Sequence, residues 1–552
     1  MTIKTAARHL VDALVMNGVT HVFCVPGESY LAVLDALYDV RDRIKLVVCR
    51  HEASASNMAE AYGKLTGRPG VLMVTRGPGA TQGSVGVHTA FQDSTPMIMF
   101  IGQVARDMID REAFQEIDYR QMFGPVAKWA SEIDVAARAG EYINRAFATA
   151  QNGRRGPVVL ALPEDMLAEE ADAETLPPAP LAMAAPDERA LETLREHLGG
   201  AERPFLLVGG GGWTHDAVRD LQTFVEAAGI PVGASFRSKD VFDNLHPQYA
   251  GDVGIGPNLK LVERIKASDL VIAFGPRLGE MTTGGYSLFE APLARQPLIH
   301  IHPGAEELGR VYTPILAIQA APETMARALA AEPWTLDEGW LQQAYEAHSE
   351  FEAFSKPVKV GDGVNLSEVF AHLDRTLPAD AIMCNGAGNY AAWLHRFYRH
   401  KSFKTQLAPT SGAMGYGFPA ALAAKAVYPD RDVICAAGDG CFMMASNELA
   451  TAMQYGLNVI TLVSNNSVYG TIRMHQEREY PARVSGTDLK NPDFAAYARS
   501  FGAFGATVTK TEDFPAVFAE AKASGLPAVI DLKTSANDIA PGRTIAGLRR
   551  AR

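Results

Sequence analysis

Short apolar runs alternate with helical patterns along the whole chain. In the first third, apolar residues recur at helical spacing between the runs THVFCV, IKLVVC, GVLMVT, MIMFIG and PVVLALP. Continuous runs of this length, rich in β-branched residues, are typical of parallel strands that are buried on both faces. The pattern therefore predicts an α/β fold in which helices cover both sides of a parallel sheet.

Two further α/β blocks follow the first. The middle block has apolar runs near 204–209, 229–233, 269–274 and 298–301. The last block offers AIMCNG, DVICAAG, LNVITLVSN and PAVIDLKT. Residues 168–190 are acidic, rich in Ala and Pro and without a strand pattern, which predicts a linker. We therefore predict three doubly wound parallel-sheet domains, over residues 1–168, 186–335 and 360–552.

Composition excludes several classes of protein. The 552 residues carry a formal charge of −12, which disfavours a nucleic-acid partner. A hydrophobic content of 47% argues against disorder. No apolar run approaches the roughly 20 residues of a membrane span, so no membrane partner is expected. The five cysteines are widely spaced, and the first residues lack the apolar core of a signal peptide, so we expect a cytoplasmic protein.

The sharpest local feature is Gly438-Asp439-Gly440, which directly follows the run DVICAA. The stretch up to Asn465-Asn466 has room for one strand and one helix, which we predict from Cys441 to Tyr455. Both motifs are then expected at the carboxyl ends of neighbouring parallel strands, where open α/β sheets bind ligands. Taken alone, the same letters also fit a glycine turn and a chance Asn pair at a strand end.

These motifs carry oxygen atoms of the kind that Mg²⁺ prefers. Asp439 offers a carboxylate, Asn466 an amide oxygen and Val468 a backbone carbonyl, which leaves room for phosphate oxygens and a water. Gly440 allows the backbone to approach the phosphates, and the following helix points its N-terminus at them. A further turn, Asn385-Gly386-Ala387-Gly388, either adds amide donors to the same anion or is a plain glycine-rich turn.

A GDG motif followed at this spacing by NN resembles the signature of thiamine-diphosphate-dependent enzymes of 2-oxo acids. That family also needs a glutamate after an N-terminal strand, and Glu52 lies in a similar RHE context. The resemblance implies that this carboxyl group hydrogen-bonds a pyrimidine nitrogen and favours the imino tautomer, which removes the thiazolium C2 proton and leaves the nucleophilic ylid. Without the resemblance, Glu52 would be a helix cap or a solvated residue.

The resemblance also implies a cofactor-binding set. SGAMGYGFPAALAAK resembles the segment whose large apolar residue props the cofactor in a bent shape, and Met414 matches that residue. The expected cofactors are thiamine diphosphate and Mg²⁺, the latter held by Asp439, Asn466 and Val468. The set is Pro26, Gly27, Glu52, Gly386, Ala387, Gly388, Ala413, Met414, Gly438, Asp439, Gly440, Cys441, Asn466, Val468, Tyr469, Gly470 and Thr471.

The family builds each site from the glutamate domain of one chain and the diphosphate domain of another. A homodimer is therefore the smallest assembly that the resemblance implies, and a homotetramer is expected.

Several segments resemble acetolactate (acetohydroxyacid) synthase catalytic subunits, among them GPGATQG, AFQEIDY and NPDFAAYARSFGA. Gln115 and Lys128 match polar active-site positions of that group, and either would otherwise be a surface or capping residue. The implied reaction is decarboxylation of a pyruvate-like 2-oxo acid, followed by carboligation of the enamine to a second carbonyl, from a keto acid or an aldehyde.

Three departures keep other reactions open. Met281 stands where the synthases usually have an arginine for the carboxylate of the second keto acid, and a thioether cannot form that ion pair. His475 stands near the place of their usual tryptophan. Glu28 matches an acidic residue of pyruvate decarboxylase-like enzymes, where it can assist release of an aldehyde. The alternatives are a non-oxidative decarboxylase that releases an aldehyde and a flavin-dependent, pyruvate oxidase-like enzyme.

Bound FAD stays open and is not favoured. The glycine-rich turn at 209–212 follows a strand but does not complete G-x-G-x-x-G. His302 stands where nucleotide-binding relatives often end a later strand with an acidic residue.

Overall fold

The computed structural model describes residues 2–550 and contains three six-stranded parallel sheets with helices. The predicted fold class, α/β with parallel sheets, is confirmed. The described residues divide into two compact units. The first comprises the residues up to Ala182 together with Leu422–Val427, and the second comprises the others. In the described part of the chain, no helix combines the length and the apolar character needed to cross a membrane.

The first unit contains one six-stranded sheet and a two-stranded antiparallel ribbon. Its strands are β1 (Thr2–Thr5), β2 (His21–Cys24), β3 (Lys45–Val48), β4 (Gly70–Val74), β5 (Met97–Gln103), β6 (Trp129–Glu132), β7 (Pro157–Pro163) and β8 (Glu170–Ala173). Its helices are α1 (Ala6–Met16), α2 (Leu31–Tyr38), α3 (Glu52–Thr66), α4 (Gly77–Asp93), α5 (Tyr119–Phe123), α6 (Ala139–Gln151) and α7 (Glu164–Ala168). The strand order is β3-β2-β4-β5-β7-β6, so the chain adds β3 on one side of β2 and β4 on the other. The parallel pair of β2 and β4 is therefore the topological switch point.

The second unit begins with the middle sheet. Its strands are β9 (Pro204–Val208), β10 (Val232–Ala234), β11 (Tyr249–Asp252), β12 (Leu270–Phe274), β13 (Leu298–His302) and β14 (Leu316–Gln319). Its helices are α8 (Glu188–Gly199), α9 (His215–Ala228), α10 (Leu259–Ala267), α11 (Pro322–Ala331) and α12 (Glu338–Phe354). The strand order is β11-β10-β9-β12-β13-β14, and the switch point lies between β9 and β12.

The last sheet belongs to the same unit, and of the helices that accompany it only residues 422–427 are assigned to the first unit. Its strands are β15 (Ile382–Asn385), β16 (Gln406–Leu407), β17 (Val433–Gly438), β18 (Ile460–Asn465), β19 (Phe504–Val508) and β20 (Ala528–Lys533). Its helices are α13 (Leu366–Thr376), α14 (Asn389–Phe397), α15 (Gly417–Val427), α16 (Asp439–Met443), α17 (Leu449–Tyr455), α18 (Gly470–Glu479), α19 (Phe494–Ser500), α20 (Phe514–Ala523) and α21 (Ile545–Arg550). The order β16-β15-β17-β18-β20-β19 places the switch point between β15 and β17.

Apart from IKLVVC, which became the edge strand β3, the apolar runs of the sequence became central strands, because those strands are covered by helices on both faces. All residues of β4, β5 and β7 are buried, and so are those of β9 and β12. The strands that the sequence did not predict in the three large sheets, β6, β11, β14, β16 and β19, all lie at the edges of their sheets. An edge strand is less completely covered and needs no continuous apolar run.

Two local predictions are wrong. Residues 168–190 were expected to contain no strand, yet β8 pairs with β1 across the register from Thr2↔Ala173 to Thr5↔Glu170. Its side chains alternate between half-buried and exposed, so it carries acidic residues and no apolar run. The single helix predicted from Cys441 to Tyr455 is broken: α16 ends at Met443, and α17 begins only at Leu449.

Candidate active site

The predicted motifs of the last sheet lie together at the carboxyl end of its switch point. Asn385 ends β15 and pairs in register with Ala436 of β17, while Gly438 ends β17 and pairs with Ser464 of β18. Because these strands are parallel and adjacent, the loops that follow them leave the sheet at the same end. The structure therefore brings the NGAG turn, the GDG motif and the NN motif to one place.

Asp439 links the GDG loop to the NN loop directly. Its Oδ2 accepts hydrogen bonds from the Ser467 amide at 2.7 Å and from Asn491 Nδ2 at 2.8 Å. Its Oδ1 accepts from the Gly440 amide at 2.8 Å. The residue is only 3% exposed, and burial raises the pKa of its carboxyl group, while these donors and Asn466 oppose the rise. The carboxylate is thus held in one orientation at the carboxyl end of β17.

The other two predicted metal ligands share one tight turn. Asn466 Oδ1 accepts a hydrogen bond from the Val468 amide at 3.2 Å, and Ser467 between them has a φ of 58°. Val468 forms an isolated antiparallel bridge with Asp488, which holds the turn from its other side. Carboxylate, amide and carbonyl oxygens are therefore offered by two adjacent loops. Among the described residues, no cluster of three or more His, Cys, Asp or Glu side chains forms another candidate metal centre.

Asn491 is a part of this site that the sequence did not single out. Its Nδ2 donates to Asp439 and also, at 3.0 Å, to Oδ1 of Asn465. Asn465 in turn donates from its Nδ2 to Asp531 Oδ1 at 3.0 Å, so the first Asn of the pair faces the sheet. The only sequence signal was that Asn491 begins NPDFAAYARSFGA, a segment noted for its resemblance and not for its chemistry.

Glycine is required where the NGAG and GDG loops approach each other. A Cβ atom on Gly386 would lie 2.7 Å from Cys441 Sγ, and one on Gly438 would lie 2.9 Å from the Tyr390 ring. The Tyr390 hydroxyl accepts from the Gly386 amide at 3.1 Å and donates to Cys441 Sγ at 3.2 Å. Burial raises the pKa of the Cys441 thiol, so the thiol is neutral and acts as a packing and hydrogen-bonding group.

The remaining predicted residues of this sheet flank the same cradle. The Gly415 amide donates to Cys441 Sγ at 3.1 Å, which places Ala413 and Met414 beside the GDG loop. Met414 is half-buried against the core of the last sheet. On the other side, Tyr469 precedes α18, which begins at Gly470, and Thr471 Oγ1 donates to Asn389 at 3.0 Å. The role of Met414 as a prop for a bent cofactor stays a prediction.

The N-terminal sheet gathers its predicted residues at its own carboxyl end. Pro26, Gly27 and Glu28 follow β2, and the Glu28 side chain is 63% exposed. Glu52 is the first residue of α3, separated from the end of β3 by three residues, where it is half-buried. A Cβ on Gly79, in the first turn of α4, would lie 3.6 Å from Glu52 Oε1. The side chain of Glu52 therefore extends towards the start of α4, beside the switch point of this sheet.

The structure separates Gln115 from Lys128. Gln115 lies at the carboxyl end, where its carbonyl accepts from the Gly77 amide at 3.0 Å. Lys128 precedes β6, and its amide donates to Pro157 at the start of β7, so it lies at the amino end of the sheet. Its ammonium donates to the Asn152 carbonyl at 2.7 Å. Within this unit, Lys128 and Gln115 therefore lie at opposite ends of the sheet, and the active-site role of Lys128 stays a prediction.

The middle sheet has the strand order of dinucleotide-binding folds, but its glycines have a structural reason of their own. A Cβ on Gly210, which has a φ of 73°, would overlap the carbonyl oxygen of Gly275 in the loop after β12. The Trp213 indole N–H donates to the Gly209 carbonyl at 2.8 Å and closes the turn. His302 is buried, and its Nδ1 accepts from the Gly304 amide at 3.0 Å. These contacts explain the glycine-rich turn without a flavin.

The tertiary structure supplies no charge from Met281, the residue that stands where the synthases usually have an arginine. Met281 is 37% exposed and carries no charge. The nearby Arg277 lies with its Nε 3.3 Å from Glu307, a buried carboxylate. It stays a prediction that Met281 cannot form an ion pair with the carboxylate of a second keto acid.

Three family models match most of the described chain. Residues 4–122 match the N-terminal TPP (thiamine pyrophosphate, or diphosphate) binding domain of thiamine pyrophosphate enzymes, residues 191–329 match their central domain, and residues 386–532 match their C-terminal TPP binding domain. Each matched segment contains one of the three six-stranded sheets or most of its strands.

Curated relatives extend the likeness over nearly the whole chain. The acetolactate synthase large subunit of Corynebacterium glutamicum is 33% identical over 545 residues, which cover 96% of this chain and 86% of that protein. The acetolactate synthase isozyme 3 large subunit of Escherichia coli is 29% identical, covering 94% and 92%. A Bacillus subtilis chain described as a thiamine pyrophosphate-containing protein, YdaP, is 28% identical, covering 99% and 96%. As its GDG and NN motifs predicted, the chain belongs to the family of thiamine pyrophosphate enzymes.

Proposed function

We propose that this enzyme uses thiamine diphosphate and Mg²⁺ to decarboxylate a pyruvate-like 2-oxo acid and to join the remaining acyl unit to a second carbonyl, as an acetolactate synthase does. The observation that carries the proposal is the link between Asp439 and the Ser467 amide at 2.7 Å, which sets the GDG and NN loops side by side at the switch point of the last sheet. The likeness to acetolactate synthase large subunits supports the choice of reaction.

The residues present fit the diphosphate end of the cofactor. Asp439, Asn466 and the Val468 carbonyl offer the oxygen ligands that suit Mg²⁺, with positions left for phosphate oxygens and water. The turn Gly386-Ala387-Gly388 lies against Cys441, where any larger residue at Gly386 would collide with the sulfur. Because glycine has no side chain, the backbone of this turn can approach a phosphate group closely. These residues hold the metal and the diphosphate in the proposal.

Thiamine diphosphate, when bound, supplies the nucleophilic carbon and takes up the electron pair that decarboxylation leaves behind. The chain's own part in proton transfer falls to Glu52, which we propose hydrogen-bonds the pyrimidine ring. Its position at the first residue of α3 suits a carboxylate, because the positive end of the helix dipole stabilises negative charge there. Gln115 and Glu28, at the same end of the sheet, are proposed to contact the substrate.

We propose a homodimer as the minimum assembly, and a tetramer of two such dimers as the working form. One support is that the sheet with Glu52 and the sheet with the GDG motif belong to different units. The other is that enzymes of this family build each site from two chains. Light scattering of the purified protein, with and without the cofactors, tests this: a monomer under turnover conditions contradicts it. We also propose a cytoplasmic location, since none of the five cysteines, which all lie in the described part of the chain, forms a disulfide, and cell fractionation tests it.

A decarboxylase that releases an aldehyde is the second candidate. The exposed carboxylate of Glu28 favours it, because an acid at this place can protonate the acyl unit before an acceptor arrives. The uncharged Met281 also favours it, since a keto-acid acceptor would find no ion pair there. A flavin-dependent oxidase is supported only by the strand order of the middle sheet, and a purified protein without flavin absorbance would remove that support.

A product screen tests these proposals. The purified protein, supplied with thiamine diphosphate and Mg²⁺, is offered several 2-oxo acids with and without aldehyde acceptors. Acetolactate from pyruvate supports the carboligase, and aldehyde as the only product supports the decarboxylase. Peroxide together with flavin absorbance supports the oxidase, and no CO₂ from any 2-oxo acid contradicts all three.

Replacing the proposed metal ligand tests the site itself. Asp439→Ala should weaken Mg²⁺ and thiamine diphosphate binding together, because it removes the only charged ligand of the set. Asp430→Ala, at an exposed position outside the site, is the matched control and should bind both as the unmodified protein does. Unchanged cofactor affinity of Asp439→Ala would contradict the assignment.

A further inference from the structure

Arg76 is a buried cation at the carboxyl end of the N-terminal sheet that the predicted site does not include. It lies between β4 and α4, and its side chain is only 10% exposed. Two carboxylates are near it: Glu164 Oε1 at 3.5 Å from Nη1 and Glu28 Oε1 at 3.9 Å from Nη2. Both distances exceed the range of a good hydrogen bond. The Nε of Arg76 is buried and has no hydrogen-bond partner in residues 2–550.

A guanidinium has five N–H donors in a planar fork, and buried donors in folded proteins nearly always have partners. Glu28 and Glu164 are both partly solvated, and exposed carboxylates at these distances form only weak ion pairs. The fork of Arg76 therefore lacks the close, coplanar acceptor that its burial requires. A water or a ligand must supply it.

A second buried polar atom without a partner belongs to Gln115, whose backbone contacts the residue after Arg76. Gln115 Oε1 makes no hydrogen bond in the described part of the chain, and Gln115 adopts a left-handed φ of 68°. Its backbone carbonyl accepts from the Gly77 amide, the residue next to Arg76. Because a side-chain amide can be turned over, this position can present either an acceptor or a donor. Two buried side chains that each have an unsatisfied polar atom therefore belong to segments that meet at the carboxyl end of β4.

The N-terminus of α4 adds a favourable field but not the missing contact. This helix runs from Gly77 to Asp93, and it has no acidic residue in its first turn. Its positive end therefore favours an anion near Arg76. The Gly77 amide already donates to the Gln115 carbonyl and to the Tyr119 hydroxyl. The Arg76 guanidinium is therefore the group that can donate to an anion here.

We propose that Arg76 binds the carboxylate of the 2-oxo acid acceptor, and that Gln115 contacts the same molecule. The inference rests on the proposed carboligase function and names the residue that selects a keto acid over an aldehyde. A carboxylate matches the fork of Arg76 through two parallel hydrogen bonds. The acceptor keeps its carboxylate throughout the reaction, whereas the donor loses it as CO₂. Binding the donor's carboxylate tightly would stabilise the ground state that decarboxylation must leave.

The proposal also gives Glu28 a changing environment. In the free protein Glu28 is the more distant of the two carboxylates near Arg76, and its side chain is largely exposed. An acceptor that pairs with Arg76 takes over this weak ion pair. Glu28 then faces the substrate without its counter-ion, where it can accept or donate a proton. Glu164 remains as a neighbour that keeps Arg76 in place.

The first test measures binding without turnover. Oxamate, an unreactive carboxylate with the shape of pyruvate, is titrated calorimetrically into the full-length protein, with and without thiamine diphosphate and Mg²⁺. Arg76→Met should raise the oxamate Kd about 100-fold, equivalent to about 2.7 kcal/mol at 1.36 kcal/mol per tenfold. The neutral amide oxamide should bind both proteins equally weakly. Arg138→Met is the matched control, because Arg138 is a surface arginine of the same unit paired with Glu141.

The second test separates the two substrates. In Arg76→Met, CO₂ release from the donor, measured with an artificial electron acceptor, should fall much less than ligation to a keto-acid acceptor. Its ligation to a keto-acid acceptor should fall about 100-fold more than its ligation to an aldehyde. Equal losses with both acceptors, or an unchanged oxamate Kd, would overturn the proposal. Both are the results expected if Arg76 only ties Glu28 and Glu164 together.

A conservative variant guards against misfolding. Arg76→Lys keeps the charge but loses the planar fork, so it should fold and bind oxamate about tenfold more weakly. If Arg76→Met does not fold and Arg76→Lys binds oxamate normally, the proposal is also overturned. The two proposals fail separately. Oxamate binding that depends on Arg76, in a protein that releases no CO₂, contradicts the function alone. Normal ligation by Arg76→Met contradicts the role of Arg76 alone.

Discussion

Asn491 is predicted to be the strongest determinant of the cofactor site outside the two motifs. Its Nδ2 joins the buried carboxylate of Asp439 at 2.8 Å to the amide oxygen of Asn465 at 3.0 Å. It thereby ties a segment that precedes α19 to both motif loops at once. Asn491→Ala removes both hydrogen bonds and leaves their acceptors in place.

The magnitude follows from the two acceptors. A hydrogen bond to a charged group contributes about 1.5–3 kcal/mol, and one between neutral groups contributes about 0.5–1.5 kcal/mol. Asp439 keeps the amide donors of Gly440 and Ser467. The free energy lost in Asn491→Ala should therefore not exceed the sum of the two hydrogen-bond contributions of Asn491. We therefore expect Asn491→Ala to destabilise the ordered conformation of the two loops by about 2–4 kcal/mol. Expressed as binding, this raises the thiamine diphosphate Kd about 30- to 1,000-fold.

The assay is quenching of intrinsic fluorescence by thiamine diphosphate at saturating Mg²⁺. Asn537→Ala is the matched control, because Asn537 is exposed on the same unit and should leave the Kd unchanged. Urea unfolding without cofactor provides a second measurement, and its midpoint should fall for Asn491→Ala. A variant that binds cofactor with the unmodified Kd and unfolds at the unmodified midpoint would refute the reasoning.

Three further predictions concern other parts of the molecule. Glu52→Gln should lower CO₂ release about 10²- to 10⁴-fold while cofactor binding persists, because an amide cannot take part in proton transfer as a carboxyl group does. Gly386→Ala should lower the unfolding temperature and weaken cofactor binding, since its Cβ would lie 2.7 Å from Cys441 Sγ, and Cys441→Ala in the same chain should restore part of both losses. Hydrogen bonds from Arg549 are the main reason that the pKa of Glu477 is lowered from 4.5 to about 2, so Arg549→Met should increase hydrogen exchange in residues 534–550 above pH 4.5. Because the lowered pKa belongs to the folded state, this contribution is fully present above pH 4.5 and disappears as the pH falls towards about 2.

Each of these has a contrary outcome. Retained turnover of Glu52→Gln would remove that residue from proton transfer. A Gly386→Ala protein that is not improved by Cys441→Ala would show that the collision is not with the sulfur. For the C-terminal segment, Arg550→Met is the control, because Arg550 is exposed next to the ion pair, and equal exchange in both variants would contradict the role of Arg549.

The candidate site was only partly accessible to sequence reasoning. Asp439 and Asn466 were found because each stands directly after a strand whose apolar run was easy to recognise, and strand ends carry ligands in this class of fold. Arg76 and Asn491 were missed because their importance lies in contacts with residues far away in the chain. Asn491 contacts Asp439 across the end of the sheet, and Arg76 contacts Glu28 from the neighbouring strand. Lys128 matches a site position in sequence, and only the direction of β6 shows that it lies at the other end of the sheet within its own unit, so its role stays a prediction.

The sequence by itself determined the central strands, the class of the fold and the position of the GDG and NN motifs at the ends of strands. Central strands are buried on both faces, so their apolar runs are an unavoidable signature of the sheet. Only the tertiary structure decided the edge strands β6, β11, β14, β16 and β19, the ribbon of β1 with β8, and the break between α16 and α17. These elements are held by pairing and packing with distant segments, and half-covered backbone needs no distinctive residues. Strand order, which is not written in any local pattern, brings Arg76, Gln115 and Glu28 to one end of a sheet and leaves Lys128 at the other.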